Sequence, residues 1–292
     1  MNPVPQVMIK TKDLSKSFGK KIVLDRLNLE FPAGENIALI GSNGAGKTTF
    51  IRCLLGEYVY QGDLEFESRD IRANRASVLR DIGFVPQLPP PFMMTVSQLL
   101  DYVTKICKAD RQKMQDIAAR LGLDIGKIGT QRFTSLSGGQ KQKVLIAIAL
   151  GRDYKMLIMD EPAANLDPEA RAIFFDLLEH KAENTTMLIS SHRLDEVVNL
   201  VNRVIELDLG RVVIDDFVSD KTDLSAVLEC ELVFNTQPDT GFAGNLSKWN
   251  LSSADEPEVW RGTIAGADRF KFVSMLARCS SSLKTMKLAE KQ

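Results

Sequence analysis

The sequence lacks any long apolar segment of the kind that crosses a membrane. Its strongest apolar stretch, residues 144–150, is far shorter than the roughly 20 apolar residues that a spanning helix needs. The N-terminus, where Lys10 and Lys12 stand among polar residues, has no apolar core typical of a signal peptide. We therefore expect that, if this protein works at a membrane, another chain does the spanning.

Cysteine is scarce, and a charge imbalance is absent. Cys53, Cys107, Cys230 and Cys279 form no Cys-x-x-Cys or Cys/His cluster, which argues against a zinc site or a disulfide framework and favours a reducing cytosol. The 37 Lys and Arg residues nearly balance the 38 Asp and Glu residues, so no general attraction to nucleic acid or anionic lipid is expected. We find no internal repeat and no low-complexity segment.

The sequence does contain the alternation of strands and helices that is typical of α/β proteins. Residues 8–31 carry short alternating apolar runs that predict antiparallel strands. Residues 37–40, 156–159 and 187–189 are uninterrupted apolar runs next to helical patterns, which predicts buried parallel strands. The expected fold is therefore α/β with a largely parallel sheet.

Two further regions have a different pattern. Residues 89–135 show helical periodicity, as at Val96, Leu99, Leu100 and Val103, and predict a helical insert. After Ser219 the composition changes, and we expect a small α+β domain over 220–292 that is regulatory or dimerising. Its predicted elements are strands near 228–234, 259–264 and 283–288 and a helix over 268–279, separated by a poorly patterned middle. Phe270, Val273, Met275 and Leu276 are the apolar residues of that helix.

A glycine-rich segment predicts a phosphate-binding loop. Residues 41–48 read Gly-Ser-Asn-Gly-Ala-Gly-Lys-Thr and match G-x-x-x-x-G-K-[ST]. The glycines let backbone N–H groups surround phosphate oxygens, Lys47 neutralises charge and the Thr48 hydroxyl can ligate Mg²⁺. The alternative is a glycine turn with an incidental lysine, but the position between a predicted strand and a predicted helix disfavours it.

Two acidic residues complete the predicted chemistry. The apolar run 156–159 delivers Asp160 and Glu161 to the carboxyl edge of the sheet, where folds of this class bind ligands. We expect Asp160 to hold Mg²⁺ and Glu161 to polarise the attacking water as general base. Either residue alone would more often belong to an acidic turn at the end of a strand.

The segment 136–140 indicates which family of phosphate-binding proteins this chain resembles. It reads Leu-Ser-Gly-Gly-Gln and resembles the signature sequence of ABC ATPases; physically, Ser137 is a candidate N-cap of a second helix whose N-terminus can hold a γ-phosphate. The resemblance covers about residues 8–219 and implies a P-loop NTPase of ABC ATPase type, with a mostly parallel core, an antiparallel β subdomain and the helical insert. We accordingly expect an ABC ATPase domain over 1–219.

Other motifs follow in the order that this family shows. Phe18 matches the aromatic residue that stacks on adenine, Gln87 the glutamine that senses Mg²⁺ and the attacking water, Asp167 the D-loop aspartate and His192 the switch histidine. Lys143 departs from the commoner arginine, which keeps the charge but loses the planar fork. Residues 163–165, Ala-Ala-Asn, replace the commoner Thr-Ser-Gly or Thr-Ser-Ala, a difference that bears on communication between sites.

The resemblance implies a complete set of site residues. The predicted catalytic residues are Glu161, His192 and Gln87, and the predicted Mg²⁺ ligands are Thr48, Gln87 and Asp160. The residues predicted to contact ATP are Phe18, Gly41, Ser42, Asn43, Gly44, Ala45, Gly46, Lys47, Thr48, Thr49, Ser137, Gly138, Gly139, Gln140 and Asp167.

The same resemblance implies a membrane transporter motor. We expect an ATPase on the cytoplasmic face of the cell membrane that pairs with a second copy and with a transmembrane permease, and that does not bind nucleic acid. Export is preferred because the C-terminal extension resembles the small tails of ABC-2-type exporters, although importers carry tails too. The alternative is a soluble ABC ATPase of repair, translation or assembly, which the lack of a long coiled coil, zinc clusters and tandem ATPase units disfavours.

Overall fold

The computed structural model describes residues 6–107, 109–182, 185–192, 194–217, 227–254, 256–265, 272, 275–276 and 282–290. The chain divides into two compact units, the first formed by Met1–Arg193 with Asn199–Asp215 and the second by Leu194–Val198 with Asp216–Gln292. Within the described residues, no helix combines the length and the apolar character that crossing a membrane requires.

The elements up to Phe217 follow the predicted alternation. In chain order they are β1 (Val7–Phe18), β2 (Lys21–Leu27), β3 (Glu30–Pro32), β4 (Asn36–Ile40), α1 (Lys47–Leu54), β5 (Gln61–Phe66), β6 (Arg69–Asp70), α2 (Ile71–Asp81), β7 (Ile82–Val85), α3 (Val96–Cys107), α4 (Arg111–Arg120), α5 (Ile125–Ile128), α6 (Gly138–Leu150), β8 (Met156–Asp160), α7 (Pro168–Ala182), β9 (Thr186–Ser190), β10 (Arg203–Asp208) and β11 (Arg211–Phe217).

Two sheets form the body of the first unit. A six-stranded sheet has the order β11-β10-β4-β9-β8-β7, and the pairs from β10 to β7 are parallel. Every residue of β4, β8 and β9 is buried, as their apolar runs predict. An antiparallel sheet joins β1, β2, β3, β5 and β6. The predicted α/β fold class is confirmed.

Helices α3 to α6 follow β7 in the chain. Val96, Leu99 and Leu100 are the buried residues of α3, so the helical spacing of apolar residues marks the packed face. Helix α4 begins at the N-cap Asp110, whose carboxylate accepts hydrogen bonds from the N–H groups of Gln112 and Lys113 at 2.8 and 3.3 Å.

The second unit contains a four-stranded antiparallel sheet. Its elements are β12 (Val227–Phe234), α8 (Thr240–Lys248), β13 (Leu251–Ser253), β14 (Val259–Ala265) and β15 (Leu283–Glu290), and Phe272, Met275 and Leu276 are helical. The strand order β13-β14-β12-β15 is that of a split βαβ, or ferredoxin-like, arrangement. The core of this unit includes Leu232, Leu246, Trp260 and Phe272.

The sequence interpretation of this region was incomplete. The three predicted strands lie within β12, β14 and β15, but α8 and β13 occupy the stretch that showed no clear pattern. Most of the predicted helix 268–279, including Phe270 and Val273, lies outside the described residues.

Candidate functional site

The carboxyl ends of four neighbouring parallel strands bring the predicted site residues together. Strand β4 leads into the glycine-rich loop, β7 into Gln87, β8 into Glu161 and β9 into His192. A cleft of about 270 Å³ lies at this edge, lined by Lys21, Val23, Ser42, Asn43, Gly44, Gly46, Lys47, Thr48, Thr49, Gln87 and Glu161. Motifs that are far apart in the sequence therefore surround one small cleft.

The loop before α1 has backbone conformations that require glycine. Gly41 and Gly46 have φ angles of 145° and 114°. A Cβ atom on Gly41 would lie 2.3 Å from the Leu207 carbonyl oxygen, and one on Gly46 would lie 2.9 Å from the Val23 carbonyl oxygen. Helix α1 begins directly after Gly46, which has no side chain to cap it, so its first N–H groups are available to an anion.

Lys47 is held inside this loop. Its Nζ donates hydrogen bonds to the carbonyl oxygens of Gly41 at 2.7 Å and Ser42 at 3.4 Å. Burial lowers the pKa of the Lys47 ammonium, and the nearby carboxylates of Glu161 and Asp160 oppose that shift. The cation therefore lies beside the acidic residues, where a phosphate could replace the carbonyl oxygens as its partner.

The end of β8 is tied to the end of β9 by Ser190. The Ser190 hydroxyl donates to Asp160 Oδ1 at 2.7 Å and accepts from the Glu161 N–H at 2.9 Å. Glu161 has a φ angle of 46°, a conformation that is uncommon for a residue with a side chain and that is often found at functional sites. One hydroxyl thus fixes the buried carboxylate of Asp160 and the backbone of Glu161.

Glu161 and His192, predicted from separate motifs, are in direct contact. His192 Nδ1 lies 2.7 Å from Glu161 Oε2. The side chain of Glu161 is 10% exposed and that of His192 is 58% exposed. The imidazole therefore orients one oxygen of a carboxylate that also lines the cleft.

The residues predicted to hold Mg²⁺ fit that ion by their chemistry. Thr48 and Gln87 line the cleft, and Asp160 is buried at the strand end directly before Glu161. A hydroxyl, an amide oxygen and a carboxylate are hard oxygen donors, and Mg²⁺ in nucleotide sites uses one or two carboxylates together with substrate phosphates.

Several predicted ATP contacts lie away from this cleft. Phe18 is 46% exposed and packs edge to face against Tyr58, with ring centroids 5.3 Å apart. The Asp167 carboxylate is bound to Lys143 Nζ at 2.8 Å and accepts from the Ala170 N–H at 2.9 Å. The hydrogen bond from Lys143 lowers the pKa of Asp167. Neither Phe18 nor Asp167 is among the residues that line the cleft, and within the glycine-rich loop the same holds for Gly41 and Ala45.

The signature segment forms a capped helix terminus of its own. The Ser137 hydroxyl accepts from the Gln140 N–H at 3.2 Å, while the Ser137 N–H donates to Gln140 Oε1 at 3.0 Å. This capping box fixes the start of α6. Residues 137–140 do not line the cleft of their own chain.

Sequence reasoning missed three residues of the site. Lys21 and Val23 line the cleft from β2, and nothing in their local sequence marks them. Ser190 had a usable signal, because it ends an apolar run directly before the Ser191-His192 pair.

Comparisons with known proteins agree with this geometry. A family profile described as ABC transporter matches residues 24–164. The lantibiotic transport ATP-binding protein SrtF of Streptococcus pyogenes is 31% identical over 230 residues, which cover 78% of this chain and 98% of that protein. The tungstate uptake system ATP-binding protein TupC of Peptoclostridium acidaminophilum is 31% identical over 215 residues, covering 70% and 97%. A solved structure of an ATP-binding subunit of an ABC transporter matches with a TM-score of 0.66 at 25% identity, covering 73% of this chain and 91% of that one.

Proposed function

The chain belongs to the ATP-binding subunits of ABC transporters, a family of ATPases, and we propose that it powers the export of a substrate through a separate transmembrane permease. The observation that carries the ATP-hydrolysing part of this proposal is the cleft, in which the glycine-rich loop, Lys47, Gln87 and Glu161 converge. Such a site accommodates a nucleoside triphosphate and a water molecule to be activated.

The predicted phosphate-binding, Mg²⁺-binding and catalytic residues at this sheet edge have distinct roles in this proposal. The loop N–H groups and Lys47 bind the β- and γ-phosphates, and Thr48, Asp160 and Gln87 would hold Mg²⁺, which would neutralise charge that develops on the phosphates. Glu161 accepts a proton from the attacking water, and His192, 2.7 Å from its carboxylate, keeps that carboxylate in position.

Substitution of Glu161 tests the site. Glu161→Gln removes the base without changing the size of the side chain, so we expect unchanged ATP affinity and turnover slowed by about 10²- to 10⁴-fold, the usual contribution of general-base catalysis. Steady-state phosphate release and nucleotide titration give the two quantities. Glu169→Gln, an exposed glutamate in the first turn of α7, is the matched control and should retain full activity. Hydrolysis near the wild-type rate by Glu161→Gln would contradict the role of Glu161.

We further propose that a second copy completes each site. The capped terminus formed by Ser137 and Gly138 lies outside the cleft of its own chain, although a helix N-terminus of this kind can bind a γ-phosphate. A head-to-tail homodimer would bring this terminus of one subunit to the nucleotide of the other. Asp167 would then act near the subunit boundary.

A permease is the proposed membrane partner. Leu88 and Met93 are 72% and 70% exposed, and Tyr102 and Ile106, four residues apart on α3, are also exposed. These exposed apolar side chains are the candidates for contact with a protein partner. Purification from membranes in mild detergent should recover a polytopic membrane protein with this chain, and the double variant Leu88→Ser, Met93→Ser should lose it while retaining ATP hydrolysis. Recovery of soluble partners alone would favour the alternative, a non-transport ABC ATPase.

The proposal also specifies the direction of transport, which is export. The preference for export rests on the resemblance of the C-terminal extension to the tails of ABC-2-type exporters. Among the relatives, one is named for tungstate uptake and another for lantibiotic transport, a name that states no direction. Inside-out vesicles that contain the complete complex separate the two directions. ATP added outside should drive substrate into these vesicles if the complex exports, and it should drive substrate only out of preloaded vesicles if the complex imports.

A further inference from the structure

Gln142 is a buried polar residue in a part of α6 that otherwise packs through apolar side chains. Its side chain is 0% exposed, and the next buried residues along the helix are Val144, Leu145 and Ile146. Glutamine is rarely so deeply buried unless its amide makes hydrogen bonds. The contacts of this amide therefore indicate why the residue is there.

The amide group of Gln142 joins two loops that carry site residues. Its Nε2 donates to the Pro162 carbonyl oxygen at 2.9 Å and to the Pro86 carbonyl oxygen at 3.3 Å. Pro162 directly follows Glu161, and Pro86 directly precedes Gln87. A single NH₂ group thus bridges the backbone beside the proposed base and the backbone beside the proposed water-sensing glutamine.

The other polar atom of the Gln142 amide, Oε1, indicates that this residue serves through its donor contacts. Within the described part of the chain, Oε1 is buried and meets no hydrogen-bond donor. A buried acceptor without a partner costs free energy, so a residue selected for packing alone would be apolar. A flipped amide would place Oε1 against two carbonyl oxygens, so the two carbonyls fix the orientation.

We infer that Gln142 is a positioning residue for ATP hydrolysis, which sets the loops of Glu161 and Gln87 relative to the start of α6. Helix α6 begins at the signature segment, and the Ser137–Gln140 capping box holds that start. Gln142 lies one turn later and touches neither the glycine-rich loop nor Lys47 in any contact that the structure describes. It acts on the rate of hydrolysis through the placement of other groups, and not on the binding of ATP.

Gln142→Met tests this inference, because methionine has a similar length and no donor. Positional errors of about 1 Å at a reacting centre can cost about 100-fold, so we expect kcat to fall about 10- to 100-fold. The KM for ATP and the affinity for nucleotide should change less than about twofold, because the substitution leaves the contacts that bind ATP in the ground state unchanged. Gln131→Met, on an exposed residue before α6, is the matched control. If Gln142→Met does not fold, Gln142→Asn replaces it, since that variant keeps an amide but is one methylene too short to reach both carbonyls.

A double-mutant cycle distinguishes positioning from a general structural role. The inference rests on Glu161 as the base, so single-turnover rates are compared for Gln142→Met, Glu161→Gln and the double variant. The Glu161→Gln variant has no carboxylate to position. Adding Gln142→Met to it should therefore slow the single-turnover rate by less than about threefold. Two results would overturn the inference. One is a double variant whose rate loss equals the product of the two single-variant losses, and the other is a folded Gln142 variant with a kcat within about twofold of wild type. A Glu161→Gln variant that is fast by itself would instead contradict the proposed role of Glu161, whatever Gln142 does.

Discussion

Single residues at the cleft are constrained by backbone geometry as much as by chemistry. Gly41 and Gly46 combine positive φ angles with backbone contacts that leave no room for a Cβ atom. The motif in the sequence predicts these glycines, because it describes a backbone that curls around phosphate. Ser190 is different, since its role depends on β8 and β9 being neighbours, which no local pattern contains.

Phe18 is the proposed adenine platform, and it is 46% exposed. Lys16 Nζ lies 4.7 Å from the ring centroid, and Tyr58 packs edge to face against the same ring, so Phe18 is held in place by its neighbours. Stacking of a base on an aromatic ring is worth about 1–3 kcal/mol. Phe18→Ala should therefore weaken nucleotide affinity roughly 5- to 150-fold, measured by titration calorimetry.

A matched aromatic truncation controls this prediction. Tyr102 on α3 is exposed to a similar extent, and Tyr102→Ala should leave the nucleotide affinity of the isolated chain unchanged. Circular dichroism should show both variants folded. Equal affinities for Phe18→Ala and the wild type would assign Phe18 to packing against Tyr58 alone.

At the scale of secondary-structure elements, the site depends on strands that end together. Long apolar runs predict β4, β8 and β9, because a strand covered on both faces is mostly apolar. Helix α8 was not predicted, although Phe242, Leu246 and Trp249 have helical spacing and lie in or against the second core. The helix has only nine residues and contains Gly241 and Gly244, which weaken the helical pattern in the sequence. Its start is fixed instead by Asp239, whose carboxylate accepts from the Phe242 N–H at 2.8 Å.

The Ser190 bridge between β8 and β9 supports a prediction at this scale. Ser190→Ala leaves the buried Asp160 Oδ1 and the Glu161 N–H without this partner, which should cost about 1–3 kcal/mol of stability. We expect the Tm of thermal unfolding to fall by a few degrees and kcat to fall with it. Ser77→Ala removes a hydroxyl that donates to the Asn74 carbonyl on the surface of α2, and it should change neither quantity. An unchanged kcat in Ser190→Ala would show that the strand ends hold their positions without this bridge.

At the scale of the whole molecule, the C-terminal residues form a core of their own. We propose that 220–292 folds independently of the ATPase domain 1–219, although Leu194–Val198 is grouped with the second unit and would remain on the truncated chain. Residues 218–226 lie outside the described part. Truncation after Ser219 should leave a folded protein that binds ATP.

Both tryptophans lie beyond the truncation point, which allows the two parts to be followed separately. Trp260 is buried in the second core, and Trp249 packs against Phe272 with ring centroids 5.3 Å apart. In the full chain, tryptophan fluorescence should therefore report unfolding of the C-terminal part, while circular dichroism reports unfolding of both parts together. A single shared transition together with an insoluble truncated chain would refute independent folding.

The last prediction concerns the proposed homodimer, in which each nucleotide needs both subunits. Lys47 serves the nucleotide of its own chain, and Ser137 would serve the nucleotide of the partner. Lys47→Ala and Ser137→Arg should each be inactive as homodimers, because each lesion is then present in both sites. In a mixed dimer both lesions fall in one site and the other site is intact, so mixing two inactive proteins should restore ATP hydrolysis. The recovered activity should rise with protein concentration, and closure of the sites supplies the charge stabilisation that a monomer lacks.

Mixing either variant with Glu161→Gln, whose lesion lies in the cleft, separates the cases: Ser137→Arg should be rescued and Lys47→Ala should not. A chain that hydrolyses ATP at a specific rate independent of concentration, with mixtures that stay inactive while subunits exchange, would contradict shared sites.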